Sequence, residues 1–216
     1  MNIELARQQM VQQQVRTVDV FDPTILQVLG SVPREQFVPA GMEALAFAET
    51  ELPLANGQFM MAPNVEGRML QALAVEPSDR VLEVGTGSGF VTACLARLGA
   101  SVTSIDLFED FQASAAANLE DSGIKNFDLQ IMDAMQQLPA EEYDVIAVTG
   151  SIEEFDPRFV MALKPGGRLF VVVGTAPNME ARLVVRSGDN DWQTESLFET
   201  ELPALVNGAL PPQFSF

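Results

Sequence analysis

The chain has 216 residues, of which 12 are basic and 30 are acidic, giving a net charge of −18. It contains no histidine and one cysteine, Cys94, which excludes a Ser-His-Asp triad, a His-containing zinc site and a CxxC motif. The charge argues against a nucleic-acid partner, because phosphate binding needs clustered Lys and Arg. With 47% hydrophobic residues, the chain can bury a sizeable core.

No apolar run approaches the ~18 residues that a membrane helix needs. The N-terminal stretch, residues 1–15, is rich in Gln and lacks the apolar segment of a signal peptide. An unpaired Cys94 is typical of a reducing compartment. We therefore expect a cytoplasmic protein without a membrane partner, and the sequence leaves its oligomeric state open.

Residues 1–78 are predicted to form short helices and loops. The prediction rests on the helical spacing of apolar residues. One helix is also marked at both ends, because Asp22 can cap it, Pro23 fits its first position and Gly30 can end it. The predicted helices lie around residues 3–10, at 22–30, from Pro33, and over 65–73 after a loop at 52–63.

From residue 79 onward, predicted strands alternate with helices. Such alternation indicates βαβ units and a doubly wound, mostly parallel sheet. The predicted strands are 81–84, 101–105, 127–131, 144–149 and 168–173, and the helices are 90–98, 108–121 and 157–163. Further strands are expected at 181–186, 192–198 and 202–206, with a loop-like tail at 211–216.

The most informative stretch is Glu83-Val-Gly-Thr-Gly-Ser-Gly89, between a predicted strand and a helix. Its glycines let the backbone turn tightly and approach a ligand closely. The spacing is GxGxG, whereas dinucleotide-binding oxidoreductases use GxGxxG. A nicotinamide-dependent oxidoreductase is therefore a poor alternative, although the turn could also be purely structural.

Three acids distinguish the ligand. Glu83 precedes the first glycine by two residues and favours a cationic amino-acid end over a pyrophosphate. Asp106, at the end of the second strand, can accept both ribose hydroxyls. Asp133, after the third strand, can accept an adenine amino group. Each aspartate alone could be an ordinary strand-end acid, but together the set describes S-adenosylmethionine. The predicted cofactor-binding residues are Glu83, Gly85, Thr86, Gly87, Ser88, Gly89, Asp106, Leu107, Asp133 and Ala134.

Several segments together resemble the protein-L-isoaspartate O-methyltransferases. The most specific is Ser31-Val-Pro-Arg-Glu-Gln-Phe-Val-Pro39, which is close to a characteristic VPRexFVP motif. The other segments are Ala6–Arg16, Glu51–Gln58, Val81–Phe90 and Leu163–Leu169.

The resemblance implies an α/β, Rossmann-like class I S-adenosylmethionine-dependent methyltransferase. Residues 1–78 would form a helical cap and active-site loop in the same domain, and 79–216 the core with a C-terminal strand extension. It further implies methyl transfer to a side-chain or α-carboxylate of abnormal aspartyl residues in a protein or peptide. Because a carboxylate is already ionised near pH 7, the reaction suits a chain without histidine.

The resemblance also implies a substrate-binding loop at Gln58, Phe59, Met60 and Met61, without assigning a catalytic residue or a metal. Met61 stands at the family's active-site serine position and Phe59 at its threonine position. The alternative is therefore a divergent member that binds S-adenosylmethionine but methylates another acceptor, or that is a non-catalytic binding module. Cys94 and the Met60-Met61 pair are also interpretable simply as core residues.

Overall fold

The computed structural model describes residues 2–208, so the predicted tail at 211–216 lies outside the described residues. Asp22 caps the second helix by accepting the N–H groups of Thr24 and Ile25, which confirms the predicted cap. The N-terminal elements are α1 (Ile3–Met10), a π-helix (Val11–Val15), 3-10 turns (Arg16–Val18, Arg34–Gln36, Glu43–Leu45, Ala55–Gly57), α2 (Pro23–Ser31), β1 (Leu52–Pro53), β2 (Phe59–Met60) and α3 (Pro63–Leu73).

The rest of the chain forms a seven-stranded sheet with helices between its strands. Its elements are β3 (Arg80–Val84), α4 (Phe90–Leu98), β4 (Ser101–Asp106), α5 (Glu109–Asp121), β5 (Phe127–Ile131), β6 (Tyr143–Ile152), α6 (Pro157–Met161), β7 (Leu163–Thr175), β8 (Asn178–Arg186) and β9 (Trp192–Glu199). The strand order is β5-β4-β3-β6-β7-β8-β9.

Strands β3 to β7 pair in parallel, and β8 and β9 add antiparallel strands at one edge. The doubly wound, mostly parallel sheet predicted from the alternating pattern is confirmed. Strand β3 pairs with β4 on one side and with β6 on the other, so the chain reverses direction across the sheet at β3. In sheets of this kind ligands bind at the carboxyl ends of the strands beside that reversal.

Apolar side chains cover both faces of the sheet. On one face, residues of the N-terminal helices such as Met10, Leu29 and Leu73 pack in one cluster with Phe90 and Cys94 of α4. The other face buries a second cluster that includes Leu82 of β3 and Phe159 of α6. Cys94 is fully buried, so its interpretation as a core residue is confirmed.

Two sequence-based expectations for local structure are wrong. Residues 202–206 do not form a strand; they make a single parallel bridge between Ser151 and Ala204. Pro203 supplies a carbonyl to Ser151 but has no N–H of its own, which prevents a continuous ladder. The helix expected from Pro33 is only a 3-10 turn at Arg34–Gln36.

Candidate active site

The glycine loop connects β3 to α4 at the reversal point of the sheet. Gly85, Gly87 and Gly89 all have positive φ angles, of 98°, 50° and 85°. A Cβ at Gly85 would lie 2.3 Å from Oγ1 of Thr149, a hydroxyl that donates to the Gly85 carbonyl at 2.7 Å. Only glycine fits this backbone.

Asp106 lies at the carboxyl end of β4 beside the loop. Its Oδ2 accepts the N–H of Gly87 at 2.9 Å, and its Oδ1 accepts the N–H of Phe108 at 3.0 Å. Burial raises the pKa of Asp106, while the hydrogen bonds from backbone N–H groups oppose this shift. The carboxylate is thus held in one orientation, with further lone pairs available to a ligand.

Asp133 follows β5 and faces the C-terminal segment. Its Oδ1 accepts the N–H of Met135 at 2.9 Å. Its Oδ2 accepts side-chain amides from Gln136 and from Asn207, both at 2.8 Å. The segment that carries Asn207 is held against β6, because Ser151 exchanges backbone hydrogen bonds with Pro203 and Leu205.

Glu83 is fully buried beneath the loop, on β3. One carboxylate oxygen accepts the Ser104 hydroxyl at 2.6 Å and also the Thr92 hydroxyl. The other oxygen, Oε1, has no partner within residues 2–208. Burial raises the pKa of Glu83 to about 8, against the lowering effect of the two hydroxyls. Among the described residues, Oε1 of Glu83 is therefore a buried polar atom without a partner, on a carboxyl group that a nearby cation would ionise.

Two adjoining cavities meet at the glycine loop. The larger has about 690 Å³ of free space, part of it open to solvent. Both are lined by Leu54, Phe59, Gly85, Gly87 and Thr149. The predicted residues that line the larger one are Gln58, Phe59, Gly85, Gly87, Asp106, Leu107, Asp133 and Ala134. Those that line the smaller one are Phe59, Met60, Met61, Glu83, Gly85, Thr86, Gly87 and Ser88.

Gly89 is the one predicted site residue that lines neither of these two cavities. A Cβ there would lie 3.0 Å from Cβ of Ala115, so this glycine lets α5 approach the start of α4. The Thr86 side chain also turns inward, because its hydroxyl lies 2.7 Å from that of Ser104 and accepts from Gln112 at 3.1 Å. The inner part of the loop therefore stabilises its own conformation.

Known proteins match this chain over most of its length. A family model described as protein-L-isoaspartate(D-aspartate) O-methyltransferase matches residues 5–208. This chain belongs to that family. Protein-L-isoaspartate O-methyltransferase 2 of Pelobacter propionicus is 34% identical over 207 residues, which cover 95% of this chain and 92% of the relative. The Opitutus terrae protein-L-isoaspartate O-methyltransferase is 37% identical over 171 residues, or 79% of this chain and 73% of the relative.

Solved structures of protein-L-isoaspartate O-methyltransferases share the fold. One from Plasmodium falciparum, in complex with S-adenosyl-L-homocysteine, has a TM-score of 0.81 at 17% identity and covers 92% of this chain and 97% of that chain. A second has a TM-score of 0.78 at 22% identity, over 92% and 65% of the two chains. The predicted class I methyltransferase fold is confirmed.

In this family member, the loop before α3 carries three consecutive apolar side chains, Phe59, Met60 and Met61. Phe59, in β2, is 45% exposed at the mouth of the cavities, whereas Met60 and Met61 are each 5% exposed. Strand β2 pairs antiparallel with β1, which places Phe59 opposite Pro53. Apolar groups thus occupy the two positions where the resemblance implies hydroxyls.

The structure contains a buried ion pair that was not predicted, Arg34 with Glu66, whose side chains are each 1% exposed. A signal was present, because Glu66 lies at helical spacing with the apolar residues Met69, Leu70 and Leu73. A carboxylate on the apolar face of a helix indicates a buried partner. The contact of Asn207 with Asp133 had no comparable signal.

Two further findings concern metals and membranes. Within residues 2–208, no group of three or more His, Cys, Asp or Glu side chains is placed to hold a metal ion. In the same part of the chain, no helix combines the length and apolarity required to cross a bilayer.

Proposed function

We propose that this protein transfers the methyl group of S-adenosylmethionine to the free carboxylate of an isoaspartyl residue in a protein or peptide. The main support for this proposal is the family match over residues 5–208. The cleft at the reversal point of the sheet provides a place for both reactants. Glu83 would face the amino-acid end of the cofactor, Asp106 its ribose, and Asp133 and Ala134 its adenine.

The residues present fit this cofactor. The unpartnered Oε1 of Glu83 supplies a buried acceptor for an ammonium group. Gly87, whose added Cβ would lie 3.3 Å from Leu54, keeps the loop open for close approach. The cofactor supplies an electrophilic methyl group on a sulfonium ion. A net charge of −18 favours such a cationic ligand.

The chain's own residues contribute binding, orientation and exclusion of water. An acceptor carboxylate is ionised near pH 7, so no residue of the chain has to remove a proton from it. Leu54, Phe59 and Met61 give the smaller cavity apolar lining, which strengthens electrostatic interactions there. Rate acceleration then rests mainly on alignment of the two reactants.

The test is methyl transfer from radiolabelled S-adenosylmethionine to two peptides that differ only in one residue, isoaspartate in one and aspartate in the other. We expect base-labile methyl ester on the isoaspartyl peptide alone. No transfer above the peptide-free blank, from protein that binds S-adenosylhomocysteine in calorimetry, would refute the acceptor. Absence of calorimetric binding would refute the cofactor as well. A cytoplasmic location remains a prediction.

A further inference from the structure

The segment Ser31–Pro39, the most specific in the sequence, has no part in the function proposed above. Its Arg34 is fully buried. Each guanidinium nitrogen donates to a different element of the structure. Nε donates to the carbonyl of Ala46 at 2.7 Å, one terminal nitrogen to the carboxylate of Glu66 on α3, and the other to the carbonyl of Met61 at 2.7 Å.

Arg34 also contacts the cofactor side of the site. Its guanidinium carbon lies 4.7 Å from the centre of the Phe90 ring, and Phe90 directly follows the glycine loop. Phe37, from the same segment, meets Phe90 edge to face with ring centres 5.7 Å apart. Met61, Glu66 and Phe90 all line the smaller cavity. One buried cation thus joins the loop of the acceptor side to the helix that begins at the glycine loop.

Stability alone gives little reason for this arrangement. Burying a guanidinium and a carboxylate carries a desolvation penalty, and well-packed apolar replacements are often equally stable. What the guanidinium provides is geometry, because its planar set of donors fixes several carbonyls relative to one another. The carbonyl of Met61 is fixed in this way, next to the side chain that lines the cavity.

We infer that Arg34 is a positioning residue that holds the loop at Met61 at a set distance from the glycine loop. The inference rests on the proposed function. Transfer between a bound donor and a bound acceptor depends on their alignment, and a displacement of about 1 Å can lower the rate about 100-fold. Arg34 would therefore affect turnover more than cofactor affinity.

The test variant is Arg34→Met with Glu66→Met, which removes both charges together and leaves no unpaired ion. The matched control is Arg7→Met with Glu35→Met. This ion pair joins α1, which carries Arg7, to the segment Ser31–Pro39, which carries Glu35. The side-chain nitrogen and oxygen are 2.6 Å apart. Within residues 2–208, the side-chain hydrogen bonds of Arg7 go only to Glu4 and Glu35.

With the double variant at Arg34 and Glu66, we expect kcat for the isoaspartyl peptide to fall about 10-fold or more, measured well below the melting temperature. The Kd for S-adenosylhomocysteine should stay within about 3-fold, and the control should keep the kcat of the original protein. Amides 58–62 should exchange hydrogen faster in the double variant than in the control. Equal kcat and equal exchange in the two variants would overturn the inference.

Arg34→Lys covers the case in which the double variant does not fold. A lysine ammonium keeps the charge beside Glu66 but cannot reproduce the planar fork. Faster exchange at amides 58–62 and a lower kcat are expected, and no change in either would overturn the inference. If the unaltered protein does not methylate the peptide, the proposed function fails, while the exchange data still decide the role of Arg34.

Discussion

The carboxylate of Asp106 accepts the backbone N–H of Gly87 at 2.9 Å, so the end of β4 is bonded directly to the tip of the glycine loop. The same carboxylate accepts the N–H of Phe108 at the start of α5. A ligand that contacts Asp106 therefore meets a group that is already fixed by two backbone donors. Such fixation reduces the ordering cost of binding.

Asp106→Asn should weaken the binding of S-adenosylhomocysteine by about 10- to 100-fold. The substitution replaces a charged acceptor by a neutral amide, and the NH₂ of that amide would face one of the two backbone N–H donors. Calorimetric titration measures this change. Asp128→Asn is a suitable control, because Asp128 is an exposed acid on the neighbouring β5. Equal affinity in both variants would contradict the role of Asp106.

Binding of a ligand with an ammonium group should release a proton from Glu83. Burial holds the pKa of this carboxyl at about 8, and a bound cation would lower it. Near pH 7, calorimetry in buffers of different ionisation enthalpy should show release of about one proton with S-adenosylhomocysteine. 5′-Methylthioadenosine, which lacks the amino-acid end, and the Glu83→Gln variant should release none. Identical proton release for both ligands would show that Glu83 is not the group that contacts the ammonium.

The same group makes stability depend on pH. In the unfolded chain Glu83 ionises at its ordinary pKa of 4.5, whereas in the folded protein it keeps its proton up to a pKa of about 8. Between these values the folded state binds more protons, so the free energy of unfolding falls as pH rises. Urea unfolding at a series of pH values should show this fall in the original protein and a smaller fall in Glu83→Gln. The same dependence of the unfolding free energy on pH in both proteins would contradict this role of Glu83.

Gly85→Ala should destabilise the protein by at least about 2 kcal/mol, because a Cβ would be both at positive φ and against Thr149. Gly166→Ala provides the control. Its φ is 83°, but a Cβ there would have nothing within 4 Å, so only the backbone cost of about 1 kcal/mol is expected. Urea unfolding followed by circular dichroism compares the two, and equal losses would show that the Thr149 contact is relieved without cost.

Met61→Ser should raise isoaspartyl methylation relative to Met61→Ala. Both variants remove the buried thioether and should lose roughly 2–5 kcal/mol of stability. Only serine adds a hydroxyl donor, and such a donor to a charged acceptor contributes about 1.5–3 kcal/mol. Initial rates of methyl transfer, corrected for the folded fraction, make the comparison. The hydroxyl would be irrelevant if the serine and alanine variants had the same rate.

The sequence predicted those parts of the fold in which a local pattern of residues is compatible with only one kind of structure. Three glycines between an apolar strand and a helix predicted the turn between β3 and α4, and the acids at 83, 106 and 133 were predicted at the ends of strands. Strands β1 and β2 were not predicted, because two residues are too few to show alternation. The segment 202–206 was wrongly predicted as a strand, since Pro203 has no N–H to donate and the segment makes only one bridge to β6.

Interactions between distant segments account for the rest of the site. Arg34 reaches Ala46, Met61 and Glu66 from a 3-10 turn, where the sequence had predicted a helix from Pro33. Asn207 reaches Asp133 across 74 positions of the chain. No periodicity links such residues, because their proximity is set by tertiary packing. Whether an oxygen of Glu83 lacks a hydrogen-bond partner is likewise decided by the residues packed around it, which the sequence does not show.

The burial of Cys94 makes the protein suitable for a direct measurement of its opening. The thiol is the only one in the chain, it is fully buried, and burial raises its pKa well above that of an ordinary thiol. A thiol reagent can therefore react only with molecules in which the contact between α4 and the N-terminal helices has separated. The labelling rate of each variant described above reports the population of that open form, without any added probe.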